Sequence, residues 1–142
     1  MKSTREKLKH KQAPIMYDGE VVFSVDKKLQ KLIQFLVDKD IETLNSCEDN
    51  VKGTCWIQFE LGDWLGLSES SFQSKRQGLY RFIEEECDLS LTMQDDGSPD
   101  EKDEYWIEGK HLIWGASVRF AKELLPTFTK HIRATLVDVS SA

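Results

Sequence analysis

Two segments of this chain have an apolar residue at every second position, and this alternation limits the folds that the chain can adopt. Residues 54–61 place Cys55, Ile57, Phe59 and Leu61 on one side, and residues 111–120 do the same with Leu112, Trp114, Ala116, Val118 and Phe120. Because side chains two residues apart share a face of a β-strand, each segment is predicted to be a strand with one buried face. A sheet with one apolar face must be covered by another layer.

Three other segments supply that layer, because their apolar residues recur at the spacing of an amphipathic helix. These residues are Leu29, Leu32, Ile33 and Leu36; Phe72, Leu79, Phe82 and Ile83; and Leu125, Phe128, Ile132 and Leu136. Asp26 precedes the first helix as an expected N-cap. The second follows a short helical turn at 62–67 and is expected to run to about residue 86 with Gly78 inside it, and Pro126 is tolerated in the first turn of the third.

Shorter strand signals complete the order of elements. Residues 20–25 and 41–47 are predicted to be strands, Leu89, Leu91 and Met93 alternate in another, and residues 105–107 are expected to pair beside 111–120. The resulting order is β-α-β-β-α-β-β-α. We predict an α+β fold with a single antiparallel sheet and helices packed on one face, similar to a split β-α-β domain with a ferredoxin-like tendency.

Length and charge bear on domains and partners. The chain has 142 residues, a usual size for one domain, so we expect a basic mobile tail at 1–14 and a single α+β domain at 15–142. Five basic residues and one acid lie in residues 1–12, which leaves a net charge of −10 on the remainder. An acidic body repels phosphate backbones, so nucleic acid is disfavoured as a partner.

The sequence also argues against membranes, disulfides and metals. It contains neither a long apolar run nor a secretion signal, so we expect a cytoplasmic protein that does not bind membranes. The cysteines Cys47, Cys55 and Cys87 are odd in number, which suits a reducing compartment. Together with His111 and His131 they match no zinc spacing, and we expect no metal and no other cofactor.

The candidate site is a polar cluster at a strand end and in the turn after it, where loops bring side chains together. We expect it to bind a ligand through Thr43, Asn45, Ser46, Glu48, Asp49 and Asn50. Trp56 and Arg119 are predicted to join it from the face opposite the apolar side of the sheet, with Ile113 beside them. A structural alternative stays open, since Asn, Ser and Asp stabilise turns by bonding backbone amides.

A helix, a T-x-x-S-C-E-D-N turn and a W-I-x-F strand follow one another in residues 26–61. This stretch resembles a family of uncharacterised small bacterial and phage proteins with a similar Ser-Cys turn. The turn is distantly similar to one in the wybutosine-synthesis methyltransferases of tRNA, where a Gly and a basic residue follow; here Glu48 and Asp49 take those places. The first resemblance implies a phage-encoded protein that captures a host signalling molecule or blocks a host protein.

Three functions remain open. We favour a small, cytosolic, non-catalytic binding protein for a nucleotide-like ligand or a protein partner, completed by a second copy as a homo-oligomer. The first alternative is an enzyme acting on a small or nucleotide substrate with Glu48 or Asp49 as general base. The second is a structural subunit without a ligand. No P-loop, dinucleotide-binding, serine-hydrolase or zinc-protease motif supports catalysis.

Overall fold

The computed structural model describes residues 11–51, 53–95, 106–107 and 110–140. They form an α+β fold, which confirms the predicted class. The strands are β1 (Gln12–Tyr17), β2 (Glu20–Asp26), β3 (Thr43–Val51), β4 (Thr54–Glu60), β5 (Asp88–Asp95), β6 (Trp106–Ile107) and β7 (Lys110–Ala121). The helices are α1 (Gln30–Asp38), α2 (Leu61–Gln73), α3 (Gly78–Glu86) and α4 (Leu125–Ser140). Short 3-10 turns, Lys27–Leu29 and Lys122–Leu124, lead into α1 and α4.

The strands form two antiparallel sheets where the sequence predicted one. The main sheet has the order β3-β4-β7-β5, and the short β6 pairs with the start of β7. β1 and β2 pair only with each other among the described strands, so the first predicted strand stays outside the main sheet. The two alternating segments, β4 and β7, lie side by side at the centre, with Trp56 opposite Arg119.

The β1–β2 hairpin shows that the folded domain begins earlier in the chain than residue 15, the predicted start. Its two-residue turn is Asp18-Gly19, and both residues have positive φ, 52° and 79°. This is the backbone that a tight hairpin needs, and Asp-Gly adopts it readily. Because Ala13 and Ile15 of β1 are buried, residues 12–14 belong to the fold and not to the predicted tail. Residues 1–10 lie outside the described residues.

One cluster of buried residues connects the hairpin, the helices and the main sheet. Of the alternating residues predicted to face inwards, six are buried: Cys55, Ile57, Phe59, Ala116, Val118 and Phe120. Trp114 is 39% exposed, Leu61 is the first residue of α2, and the side chain of Leu112 lies outside the described residues. Aromatic rings from the helices pack against this face, with Trp64 of α2 5.0 Å from Phe59 and Phe128 of α4 4.7 Å from Phe120. The opposite face of β4 and β7 therefore carries the remaining side chains, including Trp56 and Arg119.

The second predicted helix is wrong, because two separate helices, α2 and α3, lie where the sequence predicted a short turn and one long helix. Residues 61–73 form a full helix, which begins where the Glu60 carboxylate accepts a hydrogen bond from the Asp63 backbone N–H at 2.8 Å. The chain then breaks, and Gln77 has a φ of 49° immediately before α3. Gly78 is the first residue of α3 and not an interior position. A Cβ there would lie 2.5 Å from His131 Nδ1, so glycine allows α3 and α4 to pack closely.

Asp26 also differs from its predicted role. It precedes the 3-10 turn but makes no capping hydrogen bond there. Its carboxylate accepts hydrogen bonds from the Gln12 side chain at 2.6 Å and from the Glu48 backbone N–H at 2.9 Å. The carboxylate therefore joins β1 and β3 and leaves the helix start uncapped.

None of the four helices in the described ranges has both the length and the hydropathy needed to cross a bilayer.

Candidate functional site

The acidic hairpin corner is built around Asp49. Its Oδ1 accepts a hydrogen bond from the Gly53 backbone N–H at 2.7 Å, and its Oδ2 accepts one from Lys122 Nζ at 3.3 Å. Gly53 has a φ of 87°, and Val51 pairs with Thr54 across the turn. Glu48, Asp49 and Asn50 thus lie in the last part of β3, where the sequence predicted a turn. Asp49 closes the hairpin and connects it to the 3-10 turn that follows β7.

Glu48 is occupied in a similar way. Its carboxylate lies 3.8 Å from Lys28 Nζ, and it accepts a long hydrogen bond of 3.4 Å from the Lys28 backbone N–H. Asn45 Oδ1 accepts a hydrogen bond from the next backbone N–H, that of Ser46, at 2.9 Å. Three of the predicted ligand-binding side chains therefore bond to groups of the protein itself.

The remaining residues of the predicted cluster are spread along β3. Thr43 is half-buried opposite Phe59, and Ser46 is half-buried opposite Ile57. The backbone of Asn50 lies in β3, while its side chain lies outside the described residues. The same holds for Ile113 in β7. Thr43 and Asp49 lie towards opposite ends of the strand, so the cluster is not one compact group.

Trp56 and Arg119 come together as the alternation predicts. They are directly opposite on β4 and β7, and the guanidinium carbon of Arg119 lies 5.5 Å from the centre of the Trp56 ring. A cation within about 6 Å of an indole face is held by the ring quadrupole. The Trp56 Nε1–H is buried, and no acceptor for it lies among the described residues. An unpaired buried donor costs roughly 1–3 kcal/mol unless a water or ligand accepts from it.

A row of polar residues continues from this pair towards β5. Gln58 and Ser117 are buried although they lie on the face opposite the core. Gln58 Nε2 donates to Thr92 Oγ1 at 2.6 Å, and Arg119 Nη1 lies 3.5 Å from Ser90 Oγ. The period of two that located Trp56 also places Gln58 and Ser117 on its face, but the predicted site did not include them.

Gly115 makes the row possible. A Cβ at this position would lie 2.6 Å from Gln58 Nε2 and 3.0 Å from its Cγ. The amide of Gln58 therefore crosses over the backbone of β7 to reach Thr92. The Gln58 side chain fills the space that a Cβ at residue 115 would need, which explains the glycine at this position.

The thiols are poor nucleophiles in this fold. Burial raises the pKa of both Cys55 and Cys87 to about 12. Burial also raises the pKa of Cys47, and the negative charge of Asp26 adds to that rise. The thiolate is the reactive form, so a higher pKa lowers reactivity at neutral pH. Within the described residues, no three His, Cys, Asp or Glu side chains converge to hold a metal ion.

An open cleft of about 330 Å³ lies elsewhere, between the β1–β2 turn and α1. Gln34 spans it by accepting from the Met16 backbone N–H at 2.8 Å and donating to the Met16 carbonyl at 2.9 Å. Tyr17 and Asp38 also line it. The cleft shares no residue with the predicted site, and its polar contacts serve to dock the hairpin on α1.

Comparisons of the chain with models of protein families, with curated proteins and with solved structures gave no match.

Proposed function

We propose that this chain is a non-catalytic binding protein that holds a small nucleotide-like ligand against Trp56 and Arg119. The observation that carries the proposal is the guanidinium placed 5.5 Å from the centre of an indole ring whose N–H has no acceptor among the described residues. An indole offers a surface for a planar ring, and a guanidinium binds carboxylate or phosphate oxygens in a fixed fork. A nucleotide combines both features in one small molecule.

The surroundings of the pair suit such a ligand. Among the described residues, the one hydrogen bond of the Arg119 guanidinium is the long contact of 3.5 Å to Ser90. The hydroxyl groups of Ser90 and Thr92 lie on the neighbouring strand, on the same face. Hydroxyl and amide groups on a rigid sheet are suited to fixing the orientation of a bound molecule. The half-buried Trp56 and Arg119 sit on paired central strands, which limits their movement.

Catalysis is a weaker proposal for the same residues. Glu48 and Asp49, the acids available as general bases, are paired with Lys28 and Lys122. A paired carboxylate would have to leave its lysine before it could accept a proton from a substrate. In the binding proposal these two acids instead hold the hairpin corner in shape. Cys47, Cys55 and Cys87 form no disulfide, which suits the reducing cytoplasm, where we place the protein.

The test measures binding of adenosine, AMP, ATP and inorganic phosphate by calorimetry and by the shift in melting temperature. We expect at least one nucleotide to bind and to raise the melting temperature, since a ligand of the native state stabilises it. Replacing Arg119 with Gln should weaken that binding at least about tenfold, which corresponds to the loss of roughly 1.4 kcal/mol.

The chain offers a matched control in Arg133, which is exposed on α4 and lies 4.7 Å from the Phe35 ring. Arg133→Gln removes a cation from an aromatic ring at a distant place and should leave nucleotide binding unchanged. The proposal fails if none of the four probes binds, or if Arg119→Gln and Arg133→Gln affect binding equally.

A further inference from the structure

β5 forms an edge of the main sheet with an uncovered apolar row. Among the described strands it pairs with β7 alone, so the outer side of its backbone carries unpaired N–H and C=O groups. Leu89, Leu91 and Met93 lie on the face that packs the core, yet they are 48%, 58% and 41% exposed. Trp114, opposite Met93 on β7, is 39% exposed and extends the row.

Edge strands with an exposed apolar row are normally protected against pairing with other chains. Natural sheets place lysines, prolines or bulges on their edge strands, because an open apolar edge pairs with other chains. Residues 89–93 contain no charged residue, no proline and no glycine, and β5 keeps a regular register with β7 along its length. The sequence directly after β5, residues 96–104, offers no aliphatic or aromatic side chain apart from Pro99. Residues 89–93 therefore carry none of the features that protect an edge strand.

We propose that β5 docks against β5 of a second copy of this chain, antiparallel, with Leu91 on the two-fold axis. In that register Leu89 lies opposite Met93 of the other copy, and Ser90 lies opposite Thr92. Residues opposite each other on antiparallel strands point to the same face, so apolar side chains meet apolar ones and hydroxyl groups meet hydroxyl groups. The same patch serves both copies, which is the requirement of a two-fold interface.

Charge and parity favour this register over the one centred on Thr92 and over those shifted by one residue. It places Asp88 opposite the uncharged Gln94, so no like charges face each other. Moving the pairing centre to Thr92 places Leu89 opposite Asp95, which buries an apolar residue against an acid. A slip of one residue between the strands places apolar side chains opposite polar ones along the whole strand. Centring on Leu91 avoids all of these mismatches.

The pairing has a consequence for the rest of the molecule. The two-fold axis between antiparallel strands is perpendicular to the sheet, so the two main sheets join into one of eight strands in the order β3-β4-β7-β5-β5-β7-β4-β3. The helices of both copies lie on one side, and Trp56 and Arg119 of both copies lie on the other. The dimer does not depend on the ligand proposed above, and its test has a separate readout.

The test measures the molar mass of the full chain by sedimentation and by light scattering over a range of concentrations. We expect a dimer, and we expect Leu91→Lys to weaken dimerisation at least about tenfold because it places two positive charges opposite each other. The matched control is Leu65→Lys on α2, since Leu65 is 57% exposed and undergoes the same change. It should leave the dimer intact, and circular dichroism should show that both variants fold.

A second variant tests the register directly. Opposite residues on antiparallel strands are about 4.5–5.5 Å apart at Cα, which a disulfide can span. Leu91→Cys should therefore form a covalent dimer under mild oxidation, whereas the wild type and Leu65→Cys should not. A wild-type chain that is monomeric at every concentration overturns the proposal. So does a dimer that persists unchanged in Leu91→Lys, or one that Leu91→Cys fails to cross-link.

Discussion

Asp26 joins the β1–β2 hairpin to β3, a strand with which the hairpin does not pair. It ends β2, and its carboxylate accepts hydrogen bonds from Gln12 of β1 and from the backbone of Glu48 in β3. Asp26 is buried, and a buried carboxylate is tolerated only where its oxygens are bonded. The Asp26 carboxylate therefore links the small hairpin sheet to the main sheet by a hydrogen bond, next to the corner that Glu48 and Asp49 form.

We expect Asp26→Ala to lower the free energy of unfolding by about 1–3 kcal/mol. The side chain of Gln12 is exposed and can turn to water, but the Glu48 backbone N–H has no such freedom and loses its acceptor. Urea unfolding followed by circular dichroism measures the change. Glu85→Ala, at an exposed position on α3, is the control and should stay within about 0.5 kcal/mol of the wild type.

Asp26→Asn separates the hydrogen bonds from the charge. Its amide oxygen can still accept from the Glu48 N–H, and its amide nitrogen can donate to Gln12 once the Gln12 amide turns over. This variant should lose less stability than Asp26→Ala. If the two variants lose the same amount, the charge and not the hydrogen bonding explains the role of Asp26.

Among the elements, those with a clear period were predictable. β4 and β7 follow from an apolar residue at every second position, α1 and α4 follow from helical spacing, and each is found at nearly the predicted bounds. The pairing of Trp56 with Arg119 follows from the same alternation once the two strands are neighbours. Where local pattern and tertiary packing agree, the sequence is a sufficient guide.

Other features depended on signals that were overlooked or on contacts that are not local. Asp18-Gly19 is a strong hairpin signal between two apolar stretches, and it marks β1. Gly78 was predicted inside a helix but begins α3, and the residue that requires glycine there, His131, is distant in sequence. Alternation in β5 correctly predicted a strand, but no pattern within the strand shows that the helices leave its apolar residues exposed.

The acidic hairpin corner also depends on contacts that are not local in sequence. Residue types in the turn indicated oxygen atoms available for a ligand, and Lys28 and Lys122, which bond to them, come from other parts of the chain. Lys122 is 73 residues from Asp49. Such long-range partners cannot be read from a single sequence, so a polar turn alone does not distinguish a binding site from a stabilised hairpin.

The row of polar residues can be tested at Gly115, where the Gln58 side chain of β4 crosses β7 to reach Thr92 of β5. We expect Gly115→Ala to destabilise the protein by about 1 kcal/mol, because a Cβ would displace the Gln58 amide from Thr92. In a Gln58→Ala background the same substitution should be neutral or stabilising, since alanine is preferred to glycine in a strand by about 0.5–1 kcal/mol. Urea unfolding of all four proteins gives the coupling between the two sites. Additive effects would show that Gln58 does not lie over Gly115.

For the molecule as a whole, the two sheets share one hydrophobic core. Ile15 and Val25 of the hairpin belong to the same buried cluster as Leu32 of α1 and Ile57 of the main sheet. An isolated two-stranded hairpin is marginal in water, so β1 and β2 depend on this packing. The hairpin should therefore unfold together with the rest of the protein and not before it.

This cooperativity can be measured with two substitutions in the hairpin. Ile15 is fully buried, and Ile15→Ala should lower the free energy of unfolding by about 2–5 kcal/mol through lost burial and the cavity left behind. Val21, in the paired strand, is 60% exposed, so Val21→Ala should change it by no more than about 0.5 kcal/mol. Circular dichroism and tryptophan fluorescence should give coincident unfolding curves, although the hairpin itself contains no tryptophan. Equal effects of the two substitutions would instead place the hairpin outside the cooperative unit, because burial of Ile15 would then contribute nothing to global stability.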